Sequence, residues 1–215
     1  MVKLKALLNP ITKMINYNSK KYHRRTIRLN NYDYASKGAY FITICTCQKE
    51  NIFGDVVGGK IVLNDIGMIV DRYWNKIQNY FLNVETDEYI IMPNHVHGII
   101  FILNELKNTT RAQQPLPTRG CHAPTDDARN GTHGRKFGDM EPGSISSIIC
   151  TLKSLTTRTV NKQMRIKGGT IWQRNYFERI IRNKNELNKI RLYIVNNPVN
   201  WEMDKENPFE NRNNS

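Results

Sequence analysis

Hydrophobic and polar positions along the chain follow two periods, and each period predicts a type of element. A period of two, typical of strands, runs through residues 38–47 and 88–103. Pro93 and Asn94 interrupt the second of these stretches, so we predict two strands joined by a tight turn. The glycine-punctuated stretch NIFGDVVGGKIVL, residues 51–63, predicts a separate β-hairpin.

Three other stretches repeat apolar residues at helical spacing. They span residues 64–81, 144–164 and 184–197, and Pro198 stops the last helix. A short extended piece, residues 169–183, precedes that helix. The predicted order is a strand pair, a helix, a strand pair, a helix, a short strand and a helix. This order indicates an α+β fold with one central antiparallel sheet and helices packed on it.

The length of 215 residues fits one domain with an insertion. Residues 104–143 are rich in Pro, Gly, Thr, Asn and charged residues and show no periodicity, so we predict a mobile loop insertion that splits the domain. The other predicted parts are a basic N-terminal arm over 1–28, the interrupted domain over 29–201 and a C-terminal tail over 202–215.

Positive charge is concentrated in two blocks of the chain, whose formal net charge is +13. Residues 1–28 carry eight basic side chains and no acidic one, and residues 144–196 carry eleven basic and two acidic side chains. Such clustering favours a nucleic-acid partner over a merely soluble basic protein. The four cysteines show no zinc spacing and no long apolar run exists, so we expect reduced thiols, no membrane contact and a cytoplasmic, nucleoid-associated protein.

Two histidines separated by one residue begin the strand that follows Asn94. His95 and His97 share one face of that strand because successive side chains alternate between faces. Two imidazoles on one face can supply two neutral nitrogen ligands to a divalent metal that keeps positions open for substrate. The alternative is a pair of buried structural histidines.

Tyr193 and Asn197 stand four residues apart in the last predicted helix and therefore share one helical face. Asn197 offers a hard oxygen that would complete a site with two nitrogens and one oxygen, and Tyr193 offers a nucleophile beside it. Alternatively, Tyr193 packs in the core and Asn197 only ends the helix. Tyr176 is a second candidate nucleophile, but the residue four positions on is Ile180 and not a carboxamide.

A metal, a tyrosine and a cationic surface together indicate phosphodiester chemistry on nucleic acid. The metal would polarise a phosphate oxygen while the tyrosine attacks phosphorus and expels a 3′-hydroxyl. The covalent intermediate would allow strands to be rejoined without ATP. Two other functions stay open: a phosphodiesterase that uses metal-activated water, and a non-catalytic, domesticated protein that binds structured DNA or RNA.

Three stretches of the sequence resemble known protein families. YIIMPNHVHGII resembles the His-hydrophobic-His motif of HUH single-strand nucleases, and WQRNYFERIIRNKNELNKIRLYIVNNPVNW resembles the C-terminal signature of the REP-associated tyrosine transposases. RRTIRLNNYDYASKGAYFITICT is similar to the opening segment of the latter family. The resemblance implies a ferredoxin-like core and a transposase, a monomer or homodimer, that nicks single-stranded hairpin DNA of palindromic repeats and transfers strands through a 5′-phosphotyrosine.

The resemblance also implies a role for each site residue. His95, His97 and Asn197 correspond to ligands of Mg²⁺ or Mn²⁺, and Tyr193 corresponds to the nucleophile. Relatives among the insertion-sequence transposases more often carry glutamine at the position of Asn197. Basic and aromatic side chains of the two charged blocks are the predicted DNA contacts: Lys20, Lys21, Arg24, Arg25, Arg28, Lys153, Arg158, Trp172, Arg174, Arg179 and Arg182.

Overall fold

A computed structural model of the chain describes residues 36–103, 143–204 and 206–207. The strands are β1 Gly38–Cys45, β2 Gly54–Val57, β3 Lys60–Leu63, β4 Val84–Met92, β5 His95–Ile102 and β6 Phe177–Ile181. The helices are α1 Asp65–Asn75, α2 Ile77–Tyr80, α3 Ile145–Gln163 and α4 Lys184–Asn196, with short 3₁₀ turns at Cys47–Lys49 and Trp201–Met203. The predicted basic arm 1–28 and most of the predicted insertion 104–143 lie outside the described residues.

The central sheet has four strands in the order β4, β5, β1, β6, and every neighbouring pair is antiparallel. Strands β2 and β3 form the separate hairpin predicted from the glycine pattern. The predicted α+β class, with a central antiparallel sheet and packed helices, is therefore confirmed. The ferredoxin-like subtype stays a prediction.

The two faces of the sheet carry cores of very different size. Helices α1 and α3 cover one face, where the main core includes Ile42 and Ile44 of β1. Helix α4 covers the other face through a smaller cluster around Phe41 and Ile194. Odd-numbered residues of β1 thus point towards α4 because side chains alternate along a strand. This second, thinly packed face carries the candidate site.

One glycine allows helix α1 to approach the sheet closely. A Cβ atom at Gly98 would lie 2.1 Å from Cζ2 of Trp74, so any larger residue at position 98 would displace the indole ring. Gly98 follows His97 directly. The same strand therefore accommodates the indole on one face and presents both histidines on the other.

The predicted helix 64–81 is divided at Lys76. Its start is as expected, since Oδ1 of Asn64 accepts hydrogen bonds from the N–H groups of Ile66 and Gly67. At its end, the N–H of Lys76 donates to the carbonyl of Tyr73 at 3.2 Å, three residues back. Such a bond tightens a final turn, and α1 stops there. Among the described residues, no helix combines the length and apolar character needed to cross a membrane.

Candidate active site

The two histidines occupy the start of β5, on the sheet face covered by α4. His95 pairs across the sheet with Cys45 and Met92, and His97 pairs with Thr43 and Ile90. Both histidines are almost fully buried, with exposed fractions of 0% and 3%. Their ring centroids are 4.4 Å apart. The alternation that places them on one face is the one predicted from the sequence.

Each imidazole has one nitrogen held by a polar neighbour from the sheet or its turn. Nδ1 of His95 lies 2.8 Å from Oδ1 of Asn94, and Nδ1 of His97 lies 2.8 Å from Oγ1 of Thr43. Nε2 of His97 lies 3.2 Å from the phenol oxygen of Tyr193. Nε2 of His95 is buried and has no hydrogen-bond partner among the described residues. The His95 ring therefore leaves one nitrogen available to a ligand.

Helix α4 brings Tyr193 to this pair of rings. Oδ1 of Asn183 caps the helix by accepting from the N–H of Glu186 at 2.9 Å. Apolar residues at helical spacing then dock it on the sheet: Leu187, Ile190 and Ile194. Arg191 adds an ion pair with Asp87 of β4, with Nε and Nη2 at 2.8 and 2.6 Å from the same carboxylate oxygen. Tyr193 stands at the border of this face: the residue is 47% exposed, and its hydroxyl contacts His97.

The end of α4 adds two oxygen-bearing side chains to the site. Asn197 is 2% exposed, and its Nδ2 donates to Oδ2 of Asp204 at 2.8 Å. Oδ1 of Asn197 has no hydrogen-bond partner among the described residues. Asp204 is itself buried, and one ligand atom from each of His95, His97 and Asp204 lies within 4.8 Å of the other two.

Asp204 is a candidate metal ligand that the sequence pattern did not single out. It lies in the stretch predicted as a C-terminal tail, but a 3₁₀ turn at Trp201–Met203 folds that stretch back over the sheet. The N–H of Glu206 donates to Oδ1 of Asp204 at 2.7 Å and fixes the carboxylate. No sequence pattern marks Asp204, because its place beside the histidines depends on how the chain turns back after α4.

The electrostatics of the site keep both imidazoles neutral and the phenol protonated. Burial, followed by the positive charge of Lys49, lowers the pKa of His95 to about 3, while the Asn197 side chain acts in the opposite direction. Burial, followed by the proximity of His95, also holds the pKa of His97 well below its ordinary value. Burial raises the pKa of Tyr193 to about 12, helped by the negative charges of Asp204 and Glu206.

These residues fit a divalent metal ion. They comprise two neutral imidazoles, a buried carboxylate and two buried polar atoms without partners, Nε2 of His95 and Oδ1 of Asn197. A cation would stabilise the buried Asp204 carboxylate and the two acceptor atoms beside it, which have no hydrogen-bond donor among the described residues. The His95, His97 and Asp204 cluster could therefore bind a metal, with Asn197 as an adjacent oxygen donor.

Tyr176, the second candidate nucleophile, lies on the opposite face of the sheet. It packs partly buried against the main core, and its hydroxyl is 3.2 Å from Oγ of Ser146 on α3. The histidines are on the α4 face. The structure thus brings Tyr193, and not Tyr176, to the candidate metal ligands.

Two of the residues predicted to contact DNA have side chains that form contacts within the protein. Trp172 is 4% exposed, packs on Phe53 and donates from Nε1 to Oγ1 of Thr156 at 2.8 Å. The indole of Trp172 is therefore part of the main core, and its predicted contact with DNA stays a prediction. Nζ of Lys153 donates to the carbonyls of Gln173, Arg174 and Asn175. These bonds hold the Lys153 ammonium group against the segment before β6, and its predicted contact with DNA stays a prediction.

The remaining described members of the predicted DNA surface are exposed: Arg158, Arg174, Arg179 and Arg182. Arg179 forms an ion pair with Glu186 at 2.5 Å, which competes with any phosphate for its guanidinium. Lys20, Lys21, Arg24, Arg25 and Arg28 lie outside the described residues, so their predicted role stays a prediction.

Comparisons with known proteins give a sequence relative and several structural likenesses. No protein-family model matches the sequence. A REP-associated tyrosine transposase bound to a REP hairpin has a TM-score of 0.47 and 18% identity, covering 86% of this chain and 76% of its own. A candidate transposase from Deinococcus radiodurans R1 has a TM-score of 0.37 and 15% identity, covering 80% of this chain and 97% of its own. Likenesses at these scores do not assign a function to this chain.

The sequence relative is an uncharacterized protein of Haemophilus influenzae. It is 40% identical over 189 residues, which cover 88% of this chain and 96% of the relative. Identity of this level over nearly the whole length of both proteins shows common descent. The chain belongs to the same family as this Haemophilus influenzae protein.

Proposed function

We propose that the protein is a metal-dependent single-strand DNA endonuclease and transposase. It would cleave and rejoin hairpin DNA of palindromic repeats through a 5′-phosphotyrosine on Tyr193. The observation that carries this proposal is the position of the Tyr193 hydroxyl, 3.2 Å from Nε2 of a histidine in a buried cluster that could bind a metal. The resemblance of the sequence around both motifs to HUH nucleases and REP-associated tyrosine transposases supports the same function.

The ligands of Mg²⁺ or Mn²⁺ would be His95, His97 and an oxygen from Asp204 or Asn197. Such an ion, when bound, polarises a non-bridging phosphate oxygen and offsets the negative charge that develops in phosphoryl transfer. Among the described residues of the site, both histidines are buried and Tyr193 is half exposed. A DNA strand would therefore approach along the exposed edge of α4.

The covalent step uses the hydroxyl of Tyr193. Its oxygen forms a bond to phosphorus while the bond from phosphorus to the 3′-oxygen breaks. The phenol loses its proton, and the leaving oxygen gains one to become a 3′-hydroxyl. In the reverse direction a 3′-hydroxyl attacks the phosphotyrosine and restores the phenol, so strands are rejoined without another energy source.

Nε2 of His97 has two possible partners, the phenol and a metal. In the structure it is 3.2 Å from the hydroxyl of Tyr193. A single lone pair cannot accept a proton donor and coordinate an ion at once. If His97 held a metal through Nε2, the hydroxyl of Tyr193 would no longer bond to that nitrogen and would be free to meet the phosphate.

Covalent trapping tests the proposed function. Purified protein is incubated with labelled single-stranded hairpins and Mn²⁺ and analysed on denaturing gels, together with Tyr193→Phe and Tyr176→Phe. Wild type and Tyr176→Phe should give a protein–DNA band, and Tyr193→Phe should give none while still binding hairpins in native gels. The Tyr176 variant is a matched control because it removes the same hydroxyl on the other face of the sheet.

Other outcomes of this experiment identify the alternatives. Cleaved DNA without any covalent band, in wild type and Tyr193→Phe alike, would indicate a phosphodiesterase that uses water. Hairpin binding with neither cleavage nor adduct would indicate the non-catalytic DNA-binding protein. Adduct formation by Tyr193→Phe at the wild-type rate would refute Tyr193 as the nucleophile.

A further inference from the structure

Asn94, in the turn between β4 and β5, joins three segments of the chain at the candidate site. Its side chain is fully buried. Nδ2 donates to the carbonyl of Lys49 at 3.1 Å and to the carbonyl of Glu206 at 2.6 Å, and Oδ1 lies 2.8 Å from Nδ1 of His95. The carboxamide therefore contacts the turn after β1, the C-terminal segment and the first histidine at the same time.

These contacts determine which nitrogen of His95 carries the proton. Backbone carbonyls only accept hydrogen bonds, so the group that faces Lys49 and Glu206 must be the amide NH₂. The oxygen of Asn94 then faces His95, and an amide oxygen can only accept. Nδ1 of a neutral His95 must be protonated, which leaves the lone pair on the buried, unpartnered Nε2.

The same carboxamide also holds the segment that carries Asp204. Its bond to the carbonyl of Glu206 fixes that residue, whose N–H in turn donates to Oδ1 of Asp204. An ion pair of 2.8 Å between Glu206 and Lys49 adds a second attachment to the same turn. Without the amide of Asn94, the segment would lose its link to the strand that bears the histidines.

We propose that Asn94 is a positioning residue for the candidate metal site, through two actions of one side chain. It fixes the tautomer of His95 in which Nε2 is free to coordinate, and it anchors the segment 204–207 so that the Asp204 carboxylate faces both histidines. A hydrogen-bond partner that orients a metal-binding histidine is worth about 10–100-fold in metal affinity. The effect on metal affinity rests on the proposed function, whereas the tautomer and the anchoring do not.

The tautomer of His95 in metal-free wild-type protein is the first test. Long-range ¹H–¹⁵N correlation spectra of protein labelled in the histidine rings distinguish a protonated Nδ1 from a protonated Nε2. The His95 signals are assigned by their loss in His95→Gln. We expect a protonated Nδ1 and an unprotonated Nε2. A protonated Nε2 in the wild type would overturn the proposal without any Asn94 variant being needed.

Asn94→Leu tests both actions, with Thr43→Val as the matched control. Leucine has nearly the shape of asparagine but can neither accept from His95 nor donate to Glu206. We expect mixed tautomers at His95 and faster amide hydrogen exchange of segment 204–207. Mn²⁺ binding, measured from the electron paramagnetic resonance signal of free Mn²⁺, should be about 10–100-fold weaker. Thr43→Val should alter only the His97 signals and leave His95 and the exchange of segment 204–207 unchanged.

The outcomes separate this proposal from the proposed function. A folded Asn94→Leu that keeps a single Nδ1-protonated His95 and wild-type exchange would refute the positioning role. If the tautomer and the exchange behave as expected but wild type binds no Mn²⁺, the positioning role of Asn94 stands and the metal-dependent function fails. Should Asn94→Leu not fold, the wild-type tautomer alone decides.

Discussion

At the scale of single residues, the candidate site keeps two histidines neutral in a buried position. Burial is the first cause of the lowered pKa of both His95 and His97. A neutral imidazole is the form that coordinates a metal, so the burial that lowers the pKa also keeps both histidines in the metal-binding form. The lowered pKa values also make the stability of the metal-free protein depend on pH.

Metal-free protein should lose stability as the pH falls below about 6.5, the ordinary pKa of histidine. In the folded state His95 has a pKa of about 3, so between pH 6.5 and 3 the unfolded chain binds a proton that the folded chain does not. The contribution of neutral His95 to the free energy of unfolding is therefore fully present above pH 6.5 and is lost as the pH falls towards 3. Between pH 7.5 and 5.5, His95 alone should lower the free energy of unfolding by about 1 kcal/mol.

Urea unfolding at the two pH values, in the presence of a chelator, measures this loss. His95→Gln should show a smaller loss than wild type because one of the two buried neutral groups is absent. Equal losses in the two proteins would show that His95 titrates in the folded state much as it does in the unfolded chain.

At the scale of elements, helix α4 is attached to the sheet by few contacts although it carries Tyr193. Ile194 is its one fully buried residue, and the ion pair between Arg191 and Asp87 lies on the side towards β4. Because few apolar contacts join α4 to the sheet, Tyr193 can be half exposed beside a buried site. For the same reason, the position of the Tyr193 phenol should depend on the ion pair between Arg191 and Asp87.

Arg191→Gln should slow adduct formation much more than it lowers stability. The pair is partly exposed, with side-chain exposures of 39% and 21%, so its loss should cost about 1 kcal/mol or less. A displacement of the nucleophile by about 1 Å can slow a reaction about 10²-fold. Lys189→Gln, on the exposed side of the same helix, removes the same charge without the ion pair. Single-turnover adduct rates and urea unfolding of both variants test this; equal rates would count against a role for the pair.

Lys153 attaches the segment before β6 to helix α3. Burial lowers the pKa of Lys153 to about 8, and its ammonium binds three consecutive carbonyls. Lys153→Met should destabilise the fold by about 1–3 kcal/mol because three carbonyls lose a charged hydrogen-bond donor. Lys162→Met, an exposed change in the same helix, should alter stability by about 0.5 kcal/mol at most. Similar unfolding free energies for both variants would contradict this role.

At the scale of the whole molecule, the sequence predicts the fold better than it predicts the site. Apolar periodicity and turn residues locate the four-stranded sheet, the hairpin and the helices, because both signals are local. The face shared by His95 and His97, and the pairing of Tyr193 with Asn197, follow from the same local geometry. The burial of Trp172 and the three bonds of Lys153 do not, since they depend on which segments meet across the core.

Asp204 shows the same limit most clearly. It reaches the histidines because the chain reverses after α4 and because Asn94 and Asn197 hold the returning segment. No spacing rule connects residues 95 and 204. The segment predicted as a tail thus contributes a buried carboxylate to the candidate site.

The measurement that tests the central claim most directly is the location of the DNA attachment by mass spectrometry. Trypsin cleavage after Arg191 and Lys205 gives a peptide of residues 192–205 that contains Tyr193, whereas Tyr176 lies in a separate peptide of residues 175–179. After reaction with a hairpin and Mn²⁺ and digestion of the DNA, the nucleotide phosphate should be attached to Tyr193 in peptide 192–205. A modified peptide 175–179, or cleaved DNA with both peptides unmodified, would contradict the account.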